Sequence, residues 1–252
     1  MNQSIIKALG LLEFFSEEKP ELSLKEITDK ANLPKPTVYR LLSSLEFCGF
    51  LTRCKNTEYD TRYKLGLKLM ELGQLVSEQL ELRKVALPQM KKLADEINEV
   101  VHLVILNQHE AIYIEKVEST RALRLHTRVG KTSPLHLGSG PKLLFAFLSD
   151  ERRQDIFKEN LLKKLSTSER ESLLEQLKII RDKGYAVSFG EQDAGTTGVS
   201  YPIYDFHGTV IAALAVSGPS SRFEGVQLKQ IKDSTQKTAA SVSYSLGFKR
   251  NE

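Results

Sequence analysis

Leu33-Pro34-Lys35-Pro36-Thr37-Val38-Tyr39-Arg40-Leu41-Leu42-Ser43-Ser44-Leu45 is the stretch that decides the fold of the N-terminal part of the chain. Val38, Leu41, Leu42 and Leu45 recur at i, i+3, i+4 and i+7, which is one buried stripe of a helix. Pro36 suits the first helical position, because the amide it lacks would have gone unpaired there. The other face carries Tyr39, Arg40, Ser43 and Ser44, with Lys35 and Thr37 at its start. An amphipathic helix by itself asks only for a solvated polar face, so the flanks carry the argument. Upstream, Ser23-Leu24-Lys25-Glu26 is a capping box that starts a short helix ending near Ala31, and Asn32-Leu33-Pro34 makes the turn between the two. Further upstream the apolar spacing from Ile5 to Phe15 predicts a first helix that runs to about Ser16. Downstream, Phe50 to Arg53 and Thr61 to Leu65 read as two short strands around a polar turn. Alternation puts Arg62 and Lys64 on one side of the second strand. Helix, capped helix, turn, helix and basic hairpin in that order is a winged helix-turn-helix. Its third helix fits the major groove, and Arg53, Lys55, Arg62 and Lys64 of the wing are placed to meet phosphates.

Composition limits the alternatives. The chain has 252 residues, 40% hydrophobic and 27% charged, and a formal net charge of +4, which is too mild to argue for nucleic acid without the pattern above. Cys48 and Cys54 are too few for a zinc site, and the five histidines show no compact ligand spacing, so no metal and no cofactor are expected. Neither a signal sequence nor a membrane-length apolar run is visible, so the protein is expected in the cytoplasm with no membrane partner. No nucleophile elbow, phosphate-binding loop or dinucleotide fingerprint occurs. Glu191 and Asp193 form a possible carboxylate pair that reads as solvated turn residues. The expectation is therefore not an enzyme, against the alternative of a DNA-anchored enzyme doing acid or ester chemistry in a C-terminal pocket.

Beyond the head, Gly66 to Leu82 is apolar over more than one stripe, and such a helix needs cover on several sides, as a partner subunit would give. Pro88 is placed to open another helix, Gln89 to Asn98. Strands are expected over Val100 to Leu106, Ala111 to Val117, Leu123 to Thr127, Tyr185 to Phe189, Gly198 to Tyr204 and Val210 to Ser217. Helices are expected over Lys142 to Leu148, Ser168 to Lys183 and Phe223 to Leu246, with Gly247 as a terminal cap. The fold class is α+β: a winged helix-turn-helix domain over 1–65, a linker and dimerisation helix over 66–82, and an antiparallel-sheet domain over 83–252.

The segment Leu33 to Leu42, followed by Leu45-Glu46 and Gly49-Phe50-Leu51, closely resembles the recognition segment of the IclR-type bacterial transcription regulators. Tyr63 to Gly66, Val101-His102-Leu103, Arg124 to Leu137, Lys183 to Ala186 and Val216 to Arg222 resemble that family's landmarks, in the family's order and over essentially the whole chain. The resemblance implies a GAF-like C-terminal sensor fold, double-stranded DNA with a near-palindromic operator, a small-molecule effector, and a homodimer or dimer of dimers; the same parts serve repressors and activators. It also implies that the loop His136 to Lys142 binds the carboxylate of a small organic acid through the amides of Ser139 and Gly140, with Ser188, Gly198, Ala215 and Ser217 facing it and Leu125, Leu137 and Leu143 beside it. Read from residues alone, the same loop is equally a plain helix cap. Three of these four facing positions depart from the side chains expected in acid-sensing relatives, so the pocket is expected to be roomier and less polar than one fitted to a two- or three-carbon acid. Pro141 stands where the family usually has Gly, which removes one donor.

Overall fold

The computed structural model describes residues 2–55, 61–79, 81–121, 127–158, 165–249. They fall into two compact units, Met1–Gln79 and Leu80–Glu252.

In the first unit α1 (Gln3–Gly10) is shorter than expected and continues as a 3-10 turn over Leu11–Phe14. Asn2 caps α1 through its side-chain oxygen, which accepts from the amides of Ser4 and Ile5. Next come β1 (Glu21–Ser23) and α2 (Leu24–Ala31). The capping box closes as expected: Ser23 N donates to Glu26 Oε2 at 2.9 Å, and Glu26 N donates to Ser23 Oγ at 3.2 Å. Asn32 ends α2 in the left-handed conformation, φ 50°. Then α3 (Lys35–Phe47) begins one residue before Pro36, whose place in the first turn still requires no donor. The wing strands are β2 (Leu51–Lys55) and β3 (Thr61–Leu65); β1, which was not foreseen, pairs with β3 to give the order β1-β3-β2. Val38, Leu41, Leu42 and Leu45 pack with Leu11, Leu22, Ile27, Leu51 and Tyr63 in one core. The unit ends in α4 (Leu67–Gln79), on which Leu67, Met70, Leu72 and Leu75 are exposed.

The second unit begins with α5 (Glu81–Ile97), which corrects one boundary: Pro88 lies inside this helix rather than opening it. The carbonyl deprived of its donor belongs to Lys84, and both Lys84 and Pro88 are exposed, so water can replace the missing bond. The strands are β4 (Val100–Asn107), β5 (Glu110–Val117), β6 (Thr132–Pro134), β7 (Ala186–Phe189), β8 (Thr196–Tyr204) and β9 (Val210–Pro219). They form one antiparallel sheet in the order β6-β5-β4-β9-β8-β7. Between them lie α6 (Ser139–Ala146), α7 (Asp150–Lys158) and α8 (Thr167–Lys183), and α9 (Gly225–Ser245) ends the unit. The expected strand Leu123 to Thr127 lies, except for Thr127, outside the described residues, and Thr127 is not in a strand.

Both faces of the sheet are covered, so its central strands are apolar on both sides. Val101, Leu103, Val199, Leu214 and Val216 face α5 and α9, whereas Val104, Tyr113, Ala186, Ala213 and Ala215 face α6. Every residue of α6 is buried, because α8 lies over it.

Candidate functional sites

On the head, α3 exposes Lys35, Tyr39, Arg40 and Ser44, and leaves Thr37 and Ser43 half-buried. The Ser44 hydroxyl donates to its own helix at Arg40 O, 3.1 Å away. Lys64 is exposed on β3, opposite Thr52. The four basic wing residues are not equivalent. Arg53 lies opposite Tyr63, on the inner side of the hairpin; its Nη2 donates to Glu46 of α3 at 2.6 Å, and its guanidinium lies 5.6 Å from the Tyr63 ring centroid. This bond to Glu46 holds the Arg53 pKa above its ordinary value. Arg53 thus braces the wing against α3 instead of pointing outward with Lys64. Arg62 lies 3.8 Å from the Glu26 carboxylate that closes the capping box. Lys55 ends β2. Glu46 was missed in the sequence because its partner lies across the turn at Gly49.

The second candidate site lies at the start of α6. The helix begins at Ser139, three residues earlier than expected, because Gly138 turns the chain with φ 88° and Pro141 fits within the first turn. The amides of Ser139 and Gly140 therefore belong to the first helical turn and have no acceptor among the described residues. Around them Ser188, Gly198, Ala215 and Ser217 line a cavity of about 30 Å³, joined by His102, Tyr113, Gln192 and Thr197.

That volume corrects the expectation of a roomy, less polar pocket: it holds roughly one or two waters, among hydroxyls, an imidazole and carboxamide. Two features reduce it. A Cβ on Gly198 would lie 2.7 Å from Ser139 Oγ and 3.0 Å from Ser188 Oγ, so these hydroxyls take up the room that the glycine leaves. Gln192 reaches across the mouth, its Nε2 donating to Ser133 Oγ at 2.7 Å and to Leu137 O at 3.1 Å, while Tyr113 Oη lies 3.2 Å from the carboxamide. Leu137 meets the site only through this carbonyl. Leu143 is fully buried in the core beside α6 and lines no part of the cavity, and Leu125 lies outside the described residues.

Glu191 is not a solvated turn residue either. Its carboxylate accepts from Gly138 N at 2.9 Å and from Lys142 Nζ at 2.6 Å, and the Lys142 side chain is 4% exposed. A built-in anion thus already lies at the edge of the α6 N-terminus, where the helix dipole favours it. Gly190 and Gly195, both at positive φ, bracket the segment that delivers Glu191, Gln192 and Asp193. Burial pushes the Tyr113 hydroxyl pKa up and the His136 pKa down. Among the described residues no group of three or more His, Cys, Asp or Glu could hold a metal ion, and no helix is long and apolar enough to cross a membrane.

A winged helix-turn-helix with a polar recognition face, followed by a helix-covered antiparallel sheet, defines a one-chain DNA-binding transcription regulator. Residues 4–54 match the IclR helix-turn-helix domain, and residues 74–244 match the bacterial transcriptional regulator IclR C-terminal domain. The chain is 33% identical over 250 residues to the HTH-type transcriptional regulator KipR of Bacillus subtilis, covering 98% of each. It is 27% identical to the transcriptional repressor IclR of Escherichia coli, covering 98% of this chain and 91% of that one. Among solved structures, the IclR of Thermotoga maritima is 28% identical, with TM-score 0.73 over 97% of this chain and 99% of that one. An IclR homolog of Microbacterium hydrocarbonoxydans complexed with 4-hydroxybenzoate is 26% identical, with TM-score 0.80 over 97% and 99%. The chain belongs to the IclR family of bacterial transcription regulators. Its relatives are named as regulators and repressors, which leaves the enzyme alternative without support.

Proposed function

We propose that the protein regulates transcription from a near-palindromic operator, as a dimer or dimer of dimers, and that a small organic acid bound at the α6 N-terminus modulates its DNA affinity. Residues 1–65 then serve as the reading head, 66–82 as linker and dimerisation helix, and 83–252 as the effector domain, in a protein that works in the cytoplasm, where its DNA is. In the head, Tyr39 and Arg40 read base edges, with Lys35, Thr37, Ser43 and Ser44 beside them. Lys64 meets phosphate with Lys55 and Arg62, and Arg53 holds the wing in place. Two half-sites call for two heads. Ile5, Ile6 and Leu9 of α1 and Leu67, Met70, Leu72 and Leu75 of α4 are exposed apolar residues that a second subunit would cover.

The observation that carries the effector reading is the cavity itself: first-turn amides of Ser139 and Gly140 with no acceptor among the described residues, beside the Ser139 and Ser188 hydroxyls. The relative that binds 4-hydroxybenzoate supports an acid, and an acid of that size requires Gln192 to swing out. Titration of operator DNA with and without small acids, paired with calorimetry of each acid, tests this reading. Gly140 is the wrong position to block, because a Cβ there already lies 3.3 Å from Val104 Cγ2 in the core. Gly198→Ala is cleaner: its methyl displaces two rotatable hydroxyls and fills the cavity. It is expected to abolish acid binding and leave acid-free operator binding at the wild-type level; unchanged acid affinity would place the effector elsewhere.

A further inference from the structure

The sheet beneath the cavity carries buried polar groups that have no partner among the described residues. His102 is 1% exposed, and among the described residues neither Nδ1 nor Nε2 has a hydrogen-bond partner. Strand register places His102, Ala215 and Ser200 in one row across β4, β9 and β8, and the Ser200 hydroxyl, fully buried, is likewise unpaired. Buried polar groups without partners are rare and costly, and a ligand or an ordered water is the usual explanation. His102 lines the cavity. Two polar neighbours among the described residues bond elsewhere: Tyr113 meets the imidazole edge to face, at 5.4 Å between centroids, while its hydroxyl bonds to Gln192. Lys116 Nζ donates to Thr127 O at 2.5 Å and pairs with Glu118 at 2.9 Å. Burial, and then the charge of Lys116, push the His102 pKa down to about 3, so the ring is neutral, with one nitrogen donating and the other accepting.

We propose that His102 is the specificity-determining residue of the effector site, hydrogen-bonding a neutral oxygen of the effector while the carboxylate rests on the amides of Ser139 and Gly140. This rests on the effector reading above and adds the chemical class of the ligand: an acid carrying a hydroxyl or carbonyl, in preference to a plain alkyl acid or a diacid. A plain acid expels the water that would satisfy the imidazole and puts nothing in its place. A second carboxylate is disfavoured because the ring carries no charge, while Glu191 and Asp193 line the same cavity.

The test is calorimetry on the full chain with matched acids of two to six carbons: acetate and glycolate, propionate and lactate, butyrate and 3-hydroxybutyrate, hexanoate and gluconate, with succinate as the diacid. In at least one pair the hydroxylated acid is expected to bind about tenfold or more tighter, because a site built around a hydrogen bond rejects the analogue that lacks it. His102→Leu is expected to bring that pair within about twofold, and His102→Gln to restore most of the preference. Equal binding of both members by the wild type, tighter binding of succinate, or a preference that survives in His102→Leu would overturn the role of His102 and leave the effector site standing. If the wild type binds no acid of the series, both readings fall. The thermal transition of the second unit, followed by scanning calorimetry, checks that the variants fold. Should His102→Leu not fold, ¹⁵N signals of the wild-type imidazole decide: they are expected to shift with the hydroxy acid and not with its plain partner, and the same response to both would overturn the proposal.

Discussion

Replacing Arg222 with alanine removes the fork that holds Glu99. Arg222 Nε and Nη2 donate to the two oxygens of Glu99 at 2.5 and 2.7 Å, and the Glu99 side chain is 3% exposed. Breaking a buried ion pair from one side typically costs about 3–5 kcal/mol, because the remaining charge stays buried and unpaired. Two facts lower that figure here. The Arg222 side chain is 25% exposed, so water reaches the vacated space, and Arg121 Nε lies 3.8 Å from Glu99 as a partial replacement. A loss of about 2–4 kcal/mol is expected, which for a unit of this size lowers Tm by roughly 5–15 °C. Scanning calorimetry of the full chain measures it, and the transition of the head, which contains neither residue, serves as an internal control. Arg222→Lys is expected to fall between wild type and alanine, because an ammonium keeps the charge but not the two-pronged geometry. Glu99→Gln combined with Arg222→Ala is expected to be more stable than Arg222→Ala alone, because no buried charge remains. A drop below about 2 °C in Arg222→Ala, or simple additivity in the double variant, would refute this account of Glu99.

Other outcomes follow from the same geometry. Arg40→Ala is expected to weaken the specific operator by about 1–3 kcal/mol in binding titrations and relax sequence preference at one position; a loss of less than a few fold would remove Arg40 from base reading. Lys64→Ala is expected to weaken all DNA sequences alike and to reduce the slope of log K against log salt by about 0.9, whereas a change in sequence preference alone would contradict a phosphate contact. Leu72→Asp is expected to yield monomers in sedimentation, since an unpaired carboxylate cannot be buried in an interface; an intact dimer would take Leu72 out of it. His102 is held neutral in the folded protein with a pKa of about 3, whereas in the unfolded chain it takes a proton near 6.5. Its contribution is therefore complete above about pH 6.5 and is lost as pH falls towards 3, at up to about 1.4 kcal/mol per pH unit. His102→Leu should show a shallower acid slope in urea titrations, and an unchanged slope would mean that the imidazole is protonated in place.

The head was legible because its signals are local. The Ser23–Glu26 capping box and the Val38–Leu45 stripe each lie within about two helical turns, and the structure reproduces both. β1 was not, because Glu21–Ser23 is a strand only by virtue of its pairing with β3, some forty residues away. Pro88 misled because proline starts more helices than it interrupts, and only exposure at Lys84 makes the exception tolerable. In the second unit the small residues at Ser139, Gly140, Ser188 and Gly198 could be placed through the family pattern. What fills the space between them could not. The reach of Gln192 to Ser133 spans 59 residues, and that of Glu191 to Lys142 spans 49, with no periodicity to announce either. The pattern Val216 to Arg222 now has a cause: a Cβ on Gly218 would collide with the Glu99 carboxylate that Arg222 grips.

The six-stranded sheet has a further consequence for behaviour at high concentration. Its outermost strands among the described residues are also its shortest, β6 with three residues and β7 with four, and β6 ends in Pro134. Each of these two strands offers an incoming extended segment only a few backbone groups, and Pro134 has no donor to give, which works against the ladder growth that turns open sheets into fibrils. Copies of this unit are thus steered towards meeting through side-chain surfaces, where geometry limits how many can join, and away from open-ended strand stacking.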